Sequence, residues 1–485
     1  MQDLAPELWL EVLALLPRET LPAISLTNRR FRTLTKPLLF SHFEFHPYRR
    51  RNGEEPAPTD LEASKKRLQF WCREDIAQLV RSCVASPWDR RRALVRNADF
   101  PLLDQLMAQL QKFTALKQLV LANVQTSVHT YALLAGLRSL ESAEICSCNF
   151  SDMEPLRQDV GPASLMTVST FKFTSSIIAA RDPLHSMVPF LPTSTLLRLE
   201  LVCDLRAWTD NPALVPAFPS VKHLSLHANL ELFSQNMAIL AHFPALQYLH
   251  LDGWGRPTYP DTFSLESVCF PHLRCLETAR RMLPLLLRSE CTPSLTALNV
   301  RFCSDKTPSA TMSDIPECGS ITSLILDLGY EVDIDDEGYD LCDTLRNILV
   351  FFPGLERLSV ELTADVEGDL LFERDNVNPI PSKFFSALPS ATDALPQSLT
   401  HIAFKWTFEY DYEDAEPVYD PDAVDFDAVR QALAGRCPQL QALWLDGEMF
   451  CYFWDKISNT SGLEDGGEGL AAARRLLEDR EAKGY

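Results

Sequence analysis

One short pattern of apolar and polar residues recurs along most of the chain. It is clearest in FPALQYLHL at 243–251, where Leu246, Leu249 and Leu251 are spaced L-x-x-L-x-L after an apolar residue and a proline. Twelve such frames can be aligned, and their first apolar positions are Leu116, Leu140, Val168, Leu196, Val221, Leu246, Leu273, Leu295, Ile321, Leu355, Leu399 and Leu440. Each frame predicts a short strand, because its last two apolar positions are two residues apart and so point to the same side of an extended chain.

The spacing of the frames predicts how these strands are arranged. Frames up to Ile321 follow one another at 22–28 residues, and the last three intervals, of 34, 44 and 41 residues, contain insertions. Repeats of about 20–29 residues are typical of leucine-rich repeats. A single strand cannot bury its apolar side alone, so neighbouring strands stack in parallel and share a core. Helix-like stretches at 101–113 and 234–243 precede their frames. We therefore predict an α/β fold, a leucine-rich-repeat horseshoe over 101–460 with parallel strands on its concave face and 36 buried apolar frame positions.

The first 40 residues have a different pattern, which predicts three short helices. The first helix begins at Pro6, a residue favoured at the first helical position, and is apolar from Leu8 to Leu16 except for Glu11. Pro17 ends it, and a second helix is expected over 19–25. A third begins after Thr27 or Asn28 as N-cap and should stop before Pro37. A unit this small is not stable unaided, so its remaining apolar surface predicts a protein partner.

The same segment resembles an F-box. The matching residues are Leu4, Glu7, Leu8, Leu13, Leu16, Pro17, Leu21, Leu26, Arg30 and Phe31. Ala5 stands where the family usually has proline, and Thr27 and Asn28 replace a common Val-Cys pair. With the repeats behind it, the whole chain is similar to F-box/leucine-rich-repeat proteins of the fungal kind.

That resemblance implies a non-catalytic subunit that recognises substrates for a cullin–RING (SCF-type) ubiquitin ligase. The F-box would bind a Skp-type adaptor, and through it a cullin, while the repeats hold an unknown substrate protein. The expected adaptor-binding residues are Leu4, Pro6, Glu7, Leu8, Val12, Leu13, Leu16, Pro17, Leu21, Leu26 and Phe31. The alternative is a leucine-rich-repeat scaffold, or an adaptor-binding protein that acts outside a ligase.

The remaining segments complete a four-part organisation. Residues 1–48 are the F-box with a short alternating strand at 41–48, and residues 49–100 are a linker and N-terminal cap, helical over 61–86, that covers the first edge of the repeats. Residues 461–485 form a tail with a predicted helix. Two acidic insertions, at 331–340 and 409–427, interrupt the repeats. They are interpreted as solvated loops, with a docking surface for a basic partner or a calcium site as alternatives.

Charge and composition narrow the classes of partner. The net charge is −21, and residues 327–427 alone carry 25 acidic against 5 basic residues, whereas residues 1–96 carry 12 against 17. This acidity argues against nucleic acid as the main partner, because phosphates would be repelled. We also predict no membrane span, since no apolar run approaches about 18 residues, and no signal peptide.

The cysteines indicate where in the cell the protein is located, and the motifs missing from the sequence indicate whether it is an enzyme. Thirteen cysteines without a CxxC pair suggest reduced thiols in the cytoplasm or nucleus, and Cys148 and Cys303 occupy a structural position of the repeat. The basic triplets at 49–51 and 90–92 are either solvated loop charge or nuclear-import elements. No phosphate-binding, dinucleotide-binding, hydrolase or zinc-protease motif is present, so we expect no enzyme activity and no cofactor.

Candidate substrate-binding residues follow from the frame itself. Its third, fifth and seventh positions point away from the core and should line the concave face. Aromatic, histidine and arginine side chains there favour protein contacts, and the candidates are His223, His227, Tyr248, His250, Arg301, His401 and Trp444. The plainer interpretation is that they are only the polar side that every such strand must have. His223 and His227 also have the spacing of a helical metal pair, but they lie on a predicted strand, so no metal is predicted.

Overall fold

The computed structural model describes most of the chain as two compact units, residues 1–245 and 246–485. The described residues are 5–46, 58–86, 102–126, 128–150, 165–174, 188–203, 205, 208, 215–229, 237–254, 270–287, 292–301, 318–331, 341–365, 379–409, 424–447, 450–458 and 460–465. Leu4, Cys303, both basic triplets, most of the acidic insertions and the predicted tail helix lie outside these ranges.

Three helices open the first unit, as the sequence predicts. They are α1 (Pro6–Ala14), α2 (Leu21–Ser25), which follows a 3₁₀ turn at Arg18–Thr20, and α3 (Arg29–Leu39). Pro6 is the first residue of α1. Asn28 is the N-cap of α3, since its side-chain oxygen accepts a hydrogen bond from the Phe31 N–H at 2.9 Å.

The predicted end of the third helix before Pro37 is wrong. Helix α3 continues through this proline to Leu39. A proline inside a helix removes one backbone hydrogen bond. The last turn is nevertheless held, because the Phe40 N–H donates to the Lys36 carbonyl at 3.1 Å and the Phe40 ring packs edge-on against Trp71 at 5.5 Å.

The segment after the F-box helices begins the sheet of the first unit. Strand β1 (His42–Phe45) agrees with the alternation of apolar residues at 41–48. Helices α4 (Pro58–Trp71) and α5 (Glu74–Ala77) come next, followed by β2 (Ser82–Ala85). The prediction of helix throughout 61–86 is therefore wrong for 82–85. These four residues pair with β1, and Cys83 and Ala85 are fully buried beneath the sheet.

The rest of the first unit extends this sheet in parallel. Strand β2 pairs with the first repeat strand, and each later strand pairs with the next. The strands are β3 (Gln118–Ala122), β5 (Ser142–Cys146), β7 (Thr170–Thr174), β8 (Arg198–Val202) and β9 (His223–Asn229), with a separate two-stranded sheet of β4 (Gln125–Thr126) and β6 (Asn149–Phe150). Helices α6 (Leu103–Gln109) and α7 (Val128–Ala135) precede β3 and β5.

The second unit repeats the arrangement and ends differently. Seven parallel strands are followed by two antiparallel ones, β17 and β18. The strands are β10 (Tyr248–Trp254), β11 (Cys275–Ala279), β12 (Ala297–Arg301), β13 (Ser323–Glu331), β14 (Arg357–Asp365), β15 (His401–Glu409), β16 (Ala442–Asp446), β17 (Phe450–Asp455) and β18 (Thr460–Asp465). Its helices are α8 (Leu283–Leu286), α9 (Leu341–Leu349), α10 (Pro379–Ala387) and α11 (Phe426–Arg436).

The frame positions form the core of both units. All three positions of every one of the twelve frames are buried. They are apolar with one exception, Thr278, which the expectation of 36 apolar positions overlooked. Parallel strands at the repeat interval, each with its frame residues on one buried side, confirm the α/β leucine-rich-repeat fold class within each unit.

The residues FP before a frame form the turn that leads into the strand. The N–H of the first frame residue donates to the carbonyl of the residue three positions earlier, as in Leu355 to Phe352 at 3.2 Å and Leu440 to Cys437 at 2.9 Å. This bond closes a β-turn in which proline takes the second position, where its fixed φ is favoured. Phe218 and Phe243, the residues before two such prolines, stack at 5.3 Å with nearly parallel rings.

The segments that precede the strands are less helical than predicted. The stretch at 101–113 contains α6 and then a 3₁₀ turn at Leu110–Lys112. The described part of 234–243 is a 3₁₀ helix, Met237–His242, not an α-helix. Pro244 disfavours an α conformation for Phe243 and so ends this segment early.

Candidate protein-interaction surfaces

The F-box helices expose large apolar side chains. Leu15 and Leu26 are 87% and 85% exposed, and Leu8 and Val12 are 48% and 44% exposed. The sequence predicts that a helix apolar on all sides is buried on all sides, yet only Leu13 of α1 is buried within the chain. No described part of the chain covers the others, so they are available for contact with a partner protein of the kind that the sequence predicts.

The structure divides the predicted adaptor-binding residues into two groups. Leu13 and Leu21 are buried inside the helical unit, and Leu16 and Phe31 are half-buried, with the Phe31 ring edge-on against Trp9 at 5.0 Å. The exposed group is Pro6, Glu7, Leu8, Val12, Pro17 and Leu26. Sequence reasoning missed Leu15, the most exposed large apolar side chain described. Its position in the apolar run 12–16 was the available signal.

The polar face is here the side of each sheet formed by the third, fifth and seventh frame positions. In the first unit it carries His223 and His227 on β9. His223 is half-buried, and burial together with the positive charges of Arg198 and Lys222 lowers its pKa below the ordinary 6.5. At neutral pH this imidazole is therefore uncharged, so it can donate and accept hydrogen bonds but contributes no positive charge to a partner.

On the polar face of the second unit, three predicted residues gather around a buried glutamate. The Tyr248 hydroxyl donates to Glu277 Oε2, and the Arg301 guanidinium forms an ion pair with Glu277 Oε1. His250 Nε2 lies 3.7 Å from the same oxygen. Strand register explains why these side chains are close. His250 on β10 is the direct register partner of Glu277 on β11. Arg301 on β12 is the register partner of Ala279, which is two residues after Glu277 on the same strand.

Glu277 organises this cluster, and sequence reasoning missed it. Glu277 is only 7% exposed, and a carboxylate buried to this extent needs hydrogen-bond or ion-pair partners for its charge. Burial and the bond to Glu277 raise the pKa of Tyr248 above its ordinary 10, so the phenol keeps its proton and remains a donor. Glu277 occupies the fifth frame position, as His250 does, so the frame could have placed it on the polar face, although it could not have shown which residues it contacts.

The other two candidates of the second unit lie further along its sheet. His401, on β15, has Nδ1 2.8 Å from the hydroxyl of Thr400. Trp444 is half-buried on β16 and pairs in register with Ala403 on one side and Phe453 on the other. Neither belongs to the cluster around Glu277, so the polar face offers more than one contact region.

Metals, membranes and thiols add little chemistry to these surfaces. Among the residues that the structure describes, no group of three or more His, Cys, Asp or Glu side chains could hold a metal ion. No helix in the described ranges is both long and apolar enough to cross a bilayer. Cys148, the predicted structural thiol, is buried and donates to the Cys146 carbonyl at 3.4 Å, and burial raises its pKa to about 12.

Comparisons with known proteins agree with these observations at the N-terminus. The F-box domain model matches residues 1–42. A search of curated proteins finds no match. Among solved structures, the leucine-rich-repeat-containing protein LegL7 from Legionella pneumophila is 12% identical, covering 82% of this chain and 100% of its own, with a TM-score of 0.35. The TLR13–ssRNA13 complex is 16% identical, covering 76% of this chain and 40% of that one, with a TM-score of 0.31.

Proposed function

We propose that this protein, which carries an F-box domain at its N-terminus, is the substrate-recognition subunit of a cullin–RING ubiquitin ligase. F-box domains generally bind Skp-type adaptors. F-box and leucine-rich-repeat families are generally interaction modules without catalytic activity. In this proposal the chain acts by proximity, because it raises the effective concentration of a bound substrate near a ubiquitin-conjugating enzyme.

The exposure of Leu15 and Leu26 is the observation that carries the proposal. Both side chains are more than four-fifths exposed in a helical unit that buries few apolar residues of its own. Fully burying a leucine contributes about 1.5–3 kcal/mol. Covering two such residues would therefore contribute part of the free energy of adaptor binding, whereas they bury little surface within the described fold.

Co-expression with a Skp-type adaptor and size-exclusion chromatography tests the first half of the proposal. The full chain should co-elute with the adaptor, and Leu15→Asp or Leu26→Asp should each weaken the complex by about tenfold or more, since 1.4 kcal/mol corresponds to tenfold. Val350→Asp and Ile457→Asp are matched controls, because these side chains are 67% and 71% exposed but lie outside the F-box. They should leave the complex unchanged.

Adding a cullin tests the second half. A ternary complex that depends on the adaptor would support a ligase subunit. Adaptor binding without cullin recruitment would favour the alternative of an adaptor-binding protein that acts outside a ligase. If the folded full chain forms no adaptor complex, the proposal fails and the repeats are better regarded as a stand-alone binding scaffold.

A further inference from the structure

Four aromatic rings connect the F-box helices to the first repeat. Phe40, the C-cap residue of α3, packs edge-on against Trp71 of α4 at 5.5 Å. Trp71 in turn stacks on Phe43 of β1 at 4.7 Å, and Phe43 packs edge-on against Phe113 at 5.8 Å. Phe113 begins the turn that leads into the first repeat strand, since its carbonyl accepts the Leu116 N–H at 3.0 Å. The four rings are called the aromatic joint below.

The connection between α3 and the sheet is too short to be a flexible linker. Only two residues separate the end of α3 from the start of β1. One of them, Ser41, donates its hydroxyl hydrogen to the Leu38 carbonyl at 2.9 Å. The Ser41 carbonyl accepts the backbone N–H groups of Arg81 and Ser82 at 2.7 and 2.9 Å. The connection is therefore bonded to α3 on one side and to the start of β2 on the other.

An ion pair adds a weaker contact between α3 and α5. The Lys36 ammonium lies 3.1 Å from Asp75 Oδ2, and the Arg73 guanidinium lies 3.2 Å from Asp75 Oδ1. All three side chains are partly exposed, so each pair contributes little to stability. The rings of the aromatic joint contribute more, because Phe43 and Phe113 are fully buried and aromatic pairs add to the gain from burial.

The F-box helices bury few side chains among themselves. Of the described residues up to Ser41, only Leu13, Leu21 and Thr35 are buried. A unit with so small a core is not stable unaided, so the position of α3 depends on its contacts with α4 and α5. Helix α1 is tied to α3 in turn, because the Trp9 ring packs edge-on against Phe31 at 5.0 Å. Contacts at the end of α3 thus also determine where the exposed side chains of α1 lie.

Trp71 and Asp75 affect the F-box surface through other residues. Neither lies within residues 1–42, which the F-box model matches. Trp71 contacts Phe40 and Asp75 contacts Lys36, and both of these partners are at the end of α3. Their contribution to adaptor binding would therefore be to position this helix.

We infer that α4 and α5 position the adaptor-binding helices, with Trp71 and Asp75 as the positioning residues. The exposed leucines of the F-box then form one binding surface only while α3 is packed against α4 and α5. An adaptor that binds this arrangement also stabilises the aromatic joint, since a ligand stabilises the state that it binds. The inference rests on the proposed function, to which it adds that adaptor binding is coupled to the stability of the segment that joins the F-box to the first repeat.

Hydrogen exchange of the full chain, followed by mass spectrometry, tests the joint without a partner, because amide exchange measures local opening. Trp71→Ala removes the ring contacts to Phe40 and Phe43 and should speed exchange in α1, α2 and α3 about tenfold or more. Amides of β8 and β9, which are distant in the same unit, should change little. Trp71→Phe keeps a ring at this position and should restore most of the protection.

A double-mutant cycle tests the ion pair and does not disturb the buried rings. Lys36→Met should speed exchange in the F-box helices about two- to fivefold. In a chain that already carries Asp75→Asn, the same change should have almost no further effect. Lys117→Met is the matched control, because Lys117 forms an ion pair with Glu141 at 2.7 Å between two repeats of the same unit. It should leave exchange in the F-box helices unchanged.

Adding a Skp-type adaptor tests whether the joint matters for binding. At about 100 times its dissociation constant, the adaptor should slow exchange about tenfold or more in α4 and α5 as well as in the F-box helices, because opening the joint would release it. In Trp71→Ala the slowing should be confined to the F-box helices.

Two results would overturn the inference. One is exchange in the F-box helices that is the same in the wild-type protein, Trp71→Ala and Lys36→Met. The other is adaptor protection confined to the F-box helices in the wild-type protein. A folded wild-type chain that binds no adaptor would instead contradict the proposed function, and exchange in the free protein would then decide whether α4 and α5 position the F-box helices.

Discussion

The F-box helices and the repeats use leucine in opposite ways. In the repeats, the first, fourth and sixth positions of every frame are buried, whereas most residues on the polar face are half-buried or exposed. In α1 and the residues that follow it, Leu13 is buried while Leu8, Val12 and Leu15 are exposed. A leucine in a frame stabilises the fold of this chain. In the proposed function, a leucine on the F-box surface contributes free energy only when the adaptor covers it, so similar residues stabilise the fold in one region and are proposed to bind a partner in the other.

The largest effect on stability should come from truncating a buried frame leucine, compared with truncating an exposed F-box leucine of the same unit. Leu199→Ala removes a fully buried frame side chain and should lower the free energy of unfolding by about 2–5 kcal/mol. Leu15→Ala should change it by less than about 0.5 kcal/mol. Urea unfolding followed by circular dichroism measures both, and comparable losses in the two variants would remove the contrast between the regions.

A smaller effect is expected at the start of α3. Asn28→Ala removes the hydrogen bond that caps the helix and should cost about 1 kcal/mol of stability. Asn28→Ser, which retains a capping oxygen, is the matched control and should be nearly neutral. Thermal unfolding of the two variants would show whether the short F-box unit depends on its cap. Equal melting temperatures for alanine and serine would contradict this role.

The smallest effect should be on the polar face of the first unit. The bond to Glu200 raises the pKa of Lys172 above its ordinary 10.5. A raised pKa stabilises the folded state below pH 10.5, and this contribution is lost as pH rises through the raised value. Since 36% of the Lys172 side chain is exposed, Lys172→Met should cost less than about 1 kcal/mol at pH 7.

The pH dependence provides the check on that pair. The difference in urea midpoint between the wild-type protein and Lys172→Met should be constant from pH 6 to 9 and should shrink above about pH 10.5. A difference that grows with pH, or one as large as that of Leu199→Ala, would mean that the polar face is part of the stabilising core.

Prediction succeeded where the period of the pattern matches the secondary structure. The frames, the start of α1 at Pro6, the Asn28 cap and β1 are local features that follow from residue spacing or single-residue preferences. It failed for the strand at 82–85 and for the end of α3. A four-residue strand has too little pattern to be distinguished from a helix, and contacts of Phe40 with a distant tryptophan hold the turn that contains Pro37.

The candidate sites show the same limit of prediction from local sequence patterns. The frame predicted that Tyr248, His250 and Arg301 lie on one face of the sheet. It did not identify Glu277 as their common partner, because a glutamate at a surface position has no sequence mark that distinguishes it from a solvated one. Similarly, Ile325, Ser359, Ala403 and Trp444 are separated by 34, 44 and 41 residues in the chain, and only strand pairing makes them neighbours.

The sequence by itself thus determined the repeat, the residues that form its core and the apolar character of the F-box helices. The repeat and its core residues follow from the spacing of apolar residues within a few positions. The gain from burying apolar surface then favours the same buried side in every repeat. Only the tertiary structure decided which leucines remain exposed and which polar-face side chains meet. Those outcomes depend on register between strands that are distant in the chain, and residue spacing within one strand carries no information about register with the next.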